Sequence, residues 1–241
     1  MDNEFNFIKK KLRPLTFENK EARGLSDDCA FFESFTNVVI SVDTSIEGVH
    51  IPLGTDISIQ ARRSILRALS DLSTFGSNPM CIFTAISLPR SYNTSDFEKI
   101  ADGFKKALIE YEVFLAGGDI TSHSGLPIFS ITALGERGNS KLGRNKAKEG
   151  DLIVVSGSIG DSFIGLKLLN DKNLIINFQE DEILINNFLI PNPKIELGKS
   201  IKNFATSIID ISDGLLSELN HICTNSGVGA EIYINDIPFS P

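Results

Sequence analysis

Residues 38–76 read VVISVDTSIEGVHIPLGTDISIQARRSILRALSDLSTFG, and two different periods are legible in them. Val38 to Val42 is a β-branched run, which predicts a buried strand. Asp56 to Phe75 carries the helical period: Ile59, Ile65, Leu66, Leu69 and Leu72 supply the apolar face, and Gly76 and Pro79 end it. Working outward, the same alternation continues. Cys81–Leu88 predicts a strand, and Ser95–Tyr111 a helix with Phe97, Ile100, Phe104, Ala107 and Leu108 inward. Val113–Ala116 predicts a strand running into Gly117-Gly118-Asp119, and Pro127–Gly135 another strand. The order is βαβαββ, an α/β (α+β) layer structure. A short helix is expected ahead of it, from Glu4 to Leu12.

Residues 136–150, ERGNSKLGRNKAKEG, are polar and contain glycine, the composition of a link. The expected division is a domain over 1–137, a link over 138–150 and a second α/β domain over 151–241. In the second, Leu152–Val155, Ser207–Ile211 and Ala230–Ile234 read as strands. Ser162–Leu169, Asp181–Leu189, Pro193–Asn203 and Gly214–Asn225 read as helices. This βαααβαβ piece would leave its last strand as an open edge, so the second domain reads as incomplete.

Bulk properties exclude several classes. Net charge is −8 over 241 residues with no basic cluster, which argues against nucleic acid as the main partner. Cys29, Cys81 and Cys223 lie far apart without CxxC spacing, so reduced, mostly buried thiols are expected rather than a zinc site or a disulfide framework. MDNEFNFIKKKLRP has no apolar core of a signal peptide, and no apolar run approaches the roughly 18 residues of a membrane span. A cytoplasmic protein is the expectation.

Short acidic stations punctuate the chain: Asp27-Asp28, Asp43, Asp71, Asp119, and the pair Asp210 and Asp213. Most stand where a strand should give way to a loop or helix. Carboxylates so gathered suit Mg²⁺, which takes oxygen ligands, keeps waters and is shared with substrate phosphates. Each has a plainer reading. Aspartate caps helices and turns, which would account for Asp27, Asp28, Asp43, Asp210 and Asp213, and for Ser212 beside them. Asp71 lies among Ala68, Leu69 and Leu72, where a carboxylate is either turned to solvent or compensated by a cation. Gly117-Gly118 would let backbone approach phosphates, or simply turn. Tyr111 reads equally as a border to a nucleotide or as a core aromatic.

SDDCA, SVDTSIEGVH, RALSDLSTFGSNP, LAGGD, GRNKAKEGDLIVVSGSIGDSFIGLKLL and IDISDGLLSELNHICTNSGVGAEI, together spanning residues 24–240, resemble the thiamine-monophosphate kinases. That family lies within the superfamily of aminoimidazole ribonucleotide and selenophosphate synthetases. The resemblance implies ATP-dependent phosphorylation of thiamine monophosphate to thiamine diphosphate with several Mg²⁺ ions. It also implies a homodimer whose N-terminal sheets join across the two-fold axis. It gives metal roles to Asp28, Asp43, Asp71, Asp119, Asp210 and Asp213, with Asp27 beside the first of these. ATP contacts fall to Gly118, Asp119, Arg144 and Ser212, and a substrate contact to His50. Planar guanidinium at Arg144 suits bidentate phosphate recognition, and imidazole at His50 can hydrogen-bond a phosphate.

Two positions depart from the family pattern. Ser26 replaces a usual glycine, and Val42 replaces a usual threonine that offers a metal-ligating hydroxyl, leaving the Val42 carbonyl or the nearby Ser41 to supply an oxygen. The family's later Gly-Gly-Glu-Asp-Tyr-Glu-like segment, which contacts thiamine, has no counterpart before Pro241. A weakly active or inactive Mg-ATP-binding relative is therefore the alternative expectation. Residues 1–26 contain no cysteine, which argues against a selenophosphate synthetase.

Overall fold

A computed structural model of the chain describes residues 6–27, 29–139, 141–171, 173–174 and 178–240. The first half follows the expected order: β1 (Val38–Ile46), α1 (Ile57–Ser73), β2 (Asn78–Pro89), α2 (Thr94–Glu110), β3 (Phe114–His123) and β4 (Ile128–Glu136). The sheet order is β1-β4-β2-β3, with β2 and β3 parallel and the other neighbours antiparallel. Helix α2 is the crossover that a parallel pair requires.

Both long helices start on side-chain caps. Asp56 accepts from the Ser58 amide at 2.9 Å, and Asn93 and Asp96 form a reciprocal capping box at the head of α2. Their apolar faces pack on one side of the sheet. Ile65, Leu69 and Leu72 meet Phe104 and Leu108, and both sets rest on Ile82, Ile86, Phe129 and Ile131. The two helices approach closely at Gly103, where a Cβ would stand 2.1 Å from the Ser58 carbonyl oxygen. Ahead of β1, the expected helix is a π-helical turn, Ile8–Leu12, followed by two 3₁₀ turns, Arg13–Thr16 and Lys20–Leu25. Phe7 of this segment packs on Phe97 of α2, ring centroids 4.8 Å apart.

Three expectations are corrected. β1 is an edge strand that runs on to Ile46, so it is not buried: Ile40 and Val42 are 63% and 65% exposed on the face away from the helices. Gly117-Gly118-Asp119 lies inside β3, paired with Phe83-Thr84-Ala85, rather than in a loop after it. The glycine at 118 answers to packing, because a Cβ there would fall 2.3 Å from the Thr84 carbonyl oxygen. Cys29 is exposed, while Cys81 is buried and Cys223 half-buried.

The larger correction concerns the second half. Its elements are α3 (Asp161–Asn170), α4 (Phe178–Leu189), α5 (Ile195–Ile201), α6 (Leu215–Ser226) and a 3₁₀ turn, Ile234–Asp236. Among the described residues, none of the strands expected at 152–155, 207–211 and 230–234 forms. A strand needs a ladder partner, and Leu152 and Val154 stand 90% and 85% exposed. Single bonds, Ile208 N–H to Gly143 O and Ile159 N–H to Pro238 O, take the place of ladders. The mixed α/β class stands on the four-stranded sheet. No described helix is long and apolar enough to cross a membrane.

Replacing Gly103 by alanine should lower unfolding free energy by about 1–3 kcal/mol, the ordinary cost of overpacking a tight contact. Alanine at Gly229, where nothing lies within 4 Å, is the control and should leave urea stability nearly unchanged.

Candidate active site

The site is built on the seam between β1 and α1. The pleat turns Ser41 and Asp43 towards the helix and Val42 away from it. The four-residue spacing of α1 sets Arg63, Arg67 and Asp71 on one helix face. The two elements then meet side chain to side chain. Ser41 Oγ donates to Asp71 Oδ2 in a short bond, and Arg67 Nη2 pairs with Asp43 Oδ1 at 3.1 Å. Ser70, one residue before Asp71, donates to Asp210 Oδ2 at 2.8 Å and draws the second half of the chain onto the seam.

Burial dominates the electrostatics here. It pushes the Asp43 carboxyl above the usual carboxylate range, although the charges of Arg67 and Arg63 pull it down. Burial likewise raises Asp210, and the nearby negative charges of Asp71 and Glu218 add to it against the Ser70 hydrogen bond. Arg63 is pulled down to about 10 by burial and by Arg67 beside it. Its guanidinium lies over the Phe188 ring, 4.2 Å from the centroid, and donates to the Phe188 carbonyl oxygen.

His50 sits in the loop after β1. Glu47, buried, accepts from the Gly54 amide at 2.6 Å and closes this loop. The Ile46 amide donates to His50 Nδ1 at 3.1 Å, which leaves the ring proton of the neutral imidazole on Nε2. Ile51 packs with Phe188 and Leu189, seating the loop against α4.

At the head of α6, Glu218 is the organiser. It is buried and accepts from the Ser212 hydroxyl at 3.0 Å and from the Asp213 amide at 3.2 Å. Ser212 and Asp213 themselves are exposed. Arg144 is exposed in the link, its carbonyl oxygen accepting from Ser226 Oγ at 3.2 Å. Beside it opens a hollow of about 400 Å³ whose walls include Lys141, Lys146, Lys148 and Lys202.

Of the residues singled out in the sequence, the structure thus brings together Ser41, Asp43, Asp71, Asp210 and, within electrostatic reach of Asp43, His50. It does not bring Asp119 to them within one chain. Asp119 is exposed on β3, the opposite sheet edge from β1, with two strands between, a separation of about 14 Å at ordinary strand spacing. Asp27 is ion-paired with Arg23 at 2.7 Å, and Asp28 lies outside the described residues. Tyr111 is half-buried, its hydroxyl 3.4 Å from Asn192 and its pKa pushed up to about 12 by burial, the environment of a packing residue. Glu218, Arg63 and Arg67 were not anticipated. The signal for the arginines was their four-residue step to Asp71; Glu218 has only its place in the first turn of α6.

The donor set fits Mg²⁺. Ser41, Asp43, Asp71 and Asp210 are hard oxygen donors, and Asp210, raised chiefly by burial, is raised further by the negative charge of Asp71. Among the described residues no three His, Cys, Asp or Glu side chains close into a cage. Mg²⁺ does not require one, since it is held by one or two carboxylates with waters and phosphate oxygens.

Residues 26–137 match the family model described as "AIR synthase related protein, N-terminal domain". The chain is 37% identical over 241 residues to the thiamine-monophosphate kinase of Buchnera aphidicola subsp. Schizaphis graminum, covering 99% of this chain and 74% of that one. The chain belongs to the thiamine-monophosphate kinase family. The crystal structure of thiamine-monophosphate kinase from Stenotrophomonas maltophilia K279a superposes with a TM-score of 0.86 at 32% identity, covering 97% of this chain and 76% of that one. AaThiL, solved with AMPPCP and TMP, superposes with a TM-score of 0.80 at 30% identity over 98% of this chain and 74% of its own. The chain thus spans about three quarters of the length of these kinases.

The raised carboxylates make a stability prediction. A carboxyl whose folded pKa is raised favours the folded state when protonated and loses that contribution as pH rises through the folded value. Asp210→Asn should therefore melt higher than the parent at neutral pH in chelator, and the gain should vanish below the ordinary carboxylate range. Thermal melts at the two pH values measure it.

Proposed function

We infer that this chain transfers the γ-phosphoryl group of ATP to the phosphate of thiamine monophosphate, giving thiamine diphosphate and ADP. The observation that carries the reading is the meeting of Asp71 and Asp210 through Ser70, in a chain of this family. A bond forms between an acceptor phosphate oxygen and the γ-phosphorus, and the bond from that phosphorus to the β,γ-bridging oxygen breaks. Nucleophile and leaving group are both phosphate oxygens, so the step asks for positioning and charge compensation rather than a strong base.

The chain's residues divide that work. Ser41 and Ser70 fix the rotamers of Asp71 and Asp210 through their hydroxyls. Asp43, Asp71 and Asp210, with Asp28 and Asp213, are the proposed holders of Mg²⁺, and Ser41 or the Val42 carbonyl stands in for the usual hydroxyl ligand. When bound, the ion supplies neutralising charge to the phosphates. Arg144 and Ser212 are the proposed contacts to the ATP phosphates, a reading supported by the lysine-lined hollow formed partly by the link that carries Arg144. His50, whose Nδ1 is occupied by the Ile46 amide, is the proposed donor through Nε2 to the acceptor.

The functional units are 1–137 and 151–241, joined by 138–150. The active form is a cytoplasmic homodimer, supported by the uncovered sheet face that carries Ile40 and Val42. Gly118 and Asp119 lie on the sheet edge remote from β1, so their contribution to ATP and metal binding would be made in the dimer.

Asp71→Asn should reduce thiamine diphosphate formation at least 100-fold, about 3 kcal/mol of transition-state stabilisation, with an unchanged circular dichroism spectrum. Turnover within a fewfold of the parent by a folded variant would contradict the assignment.

A further inference from the structure

We propose that Arg63 and Arg67, flanking Asp43 and facing the His50 loop, form the seat for the phosphate group of the acceptor. The proposal rests on the kinase reading and adds two residues to it.

The charge count motivates it. On this stretch of α1, two guanidiniums a single turn apart share one described carboxylate, Asp43, which Arg67 engages at 3.1 Å. Arg63 is partnered by a carbonyl oxygen and an aromatic face at Phe188, neither of which carries a formal charge. Arg63 therefore stands in a half-buried place with no carboxylate at ion-pair distance among the described residues. Hydrogen-bonding capacity is left over as well. Arg63 Nε and Arg67 Nη1, like Arg62 Nε on the neighbouring face, are buried without an acceptor among the described residues. Buried donors of this kind are ordinarily satisfied, and a dianionic phosphate offers the oxygens they lack.

Position selects which phosphate. The pair stands next to Asp43 of the carboxylate seam and on the side of the His50 loop, which Ile51 seats on Phe188, the residue Arg63 holds. Arg144 and its lysine-lined hollow belong to the link, whose backbone is tied instead to Ser207 and Ser226. Two phosphate-bearing substrates need two cationic seats; the arginine pair at the seam is one and the lysine-lined hollow at the link the other. Arg62, adjacent in sequence, is turned away to Glu110 of α2 at 2.6 Å and takes no part.

The test is calorimetric titration of the full chain with thiamine monophosphate, thiamine and AMPPCP, in Mg²⁺. The parent should bind thiamine monophosphate more tightly than thiamine. Arg67→Met should weaken thiamine monophosphate by about tenfold or more, the loss of a charge-assisted hydrogen bond, with thiamine and AMPPCP changed less than about twofold. Arg67→Lys should recover part of that loss. Should Arg67→Met not fold, Arg63→Lys is read in the same way, with thiamine monophosphate weakened and AMPPCP kept. Unchanged thiamine monophosphate affinity in folded variants would overturn the seat while the kinase reading stands. Equal loss of AMPPCP would overturn its assignment to the acceptor. A parent chain that binds AMPPCP but no thiamine monophosphate would overturn the kinase reading and the seat together.

Discussion

Negative charge held out of water at the β1–α1 seam is the constraint on which the rest of the structure depends. Asp43 and Asp210 are both shifted towards the protonated form by burial, and the described partners only partly offset it. A carboxylate in that condition costs stability unless cations, hydrogen bonds or metal ions meet it. The chain supplies Arg67 in contact with Asp43, Arg63 within electrostatic reach of it, and two serine hydroxyls, Ser41 and Ser70. The remaining shortfall is what the proposed Mg²⁺ and substrate phosphates would meet. The compensating stability comes from the other face of the same helix, where Ile65, Leu69 and Leu72 are fully enclosed.

Helix α1 thus has two faces with opposite costs, and the fold is arranged to hold it. The tight crossing at Gly103 locks it to α2, and a second tight contact at Gly198 of α5, where a Cβ would lie 2.1 Å from the Ser73 carbonyl oxygen, locks its end to the second half. Ser70–Asp210 then joins the halves at the site itself. Stability is concentrated around α1, whereas the second half carries long exposed apolar stretches such as Leu152–Val154. Local opening should therefore begin there, away from the α1 core.

Much of the first half was legible in the sequence because its signals are periodic and redundant. Ile65, Leu69 and Leu72 can serve only one helix face, and Asp56 and Gly76 bracket it. The extent of β1 was not legible: Val38–Val42 looks buried, yet edge or centre is decided by strand order, which no local pattern carries. Gly117-Gly118 looked like a turn because glycine signals both turns and close backbone approach, and here the second applies. Leu152–Val155, Ser207–Ile211 and Ala230–Ile234 have strand composition without ladder partners among the described residues. At the site, the aspartates could be singled out one by one, but not which of them meet. That Asp71 joins Asp210 while Asp119 stays on the far edge is a matter of tertiary arrangement. Arg63 and Arg67 were hidden as ordinary charges on an amphipathic helix.

The measurement that bears most directly on the central claim is chromatographic detection of thiamine diphosphate after incubating the purified chain with ATP, Mg²⁺ and thiamine monophosphate. The seam as described predicts steady product formation that requires Mg²⁺ and stops in chelator. No thiamine diphosphate from a folded chain that binds both ATP and thiamine monophosphate would contradict it.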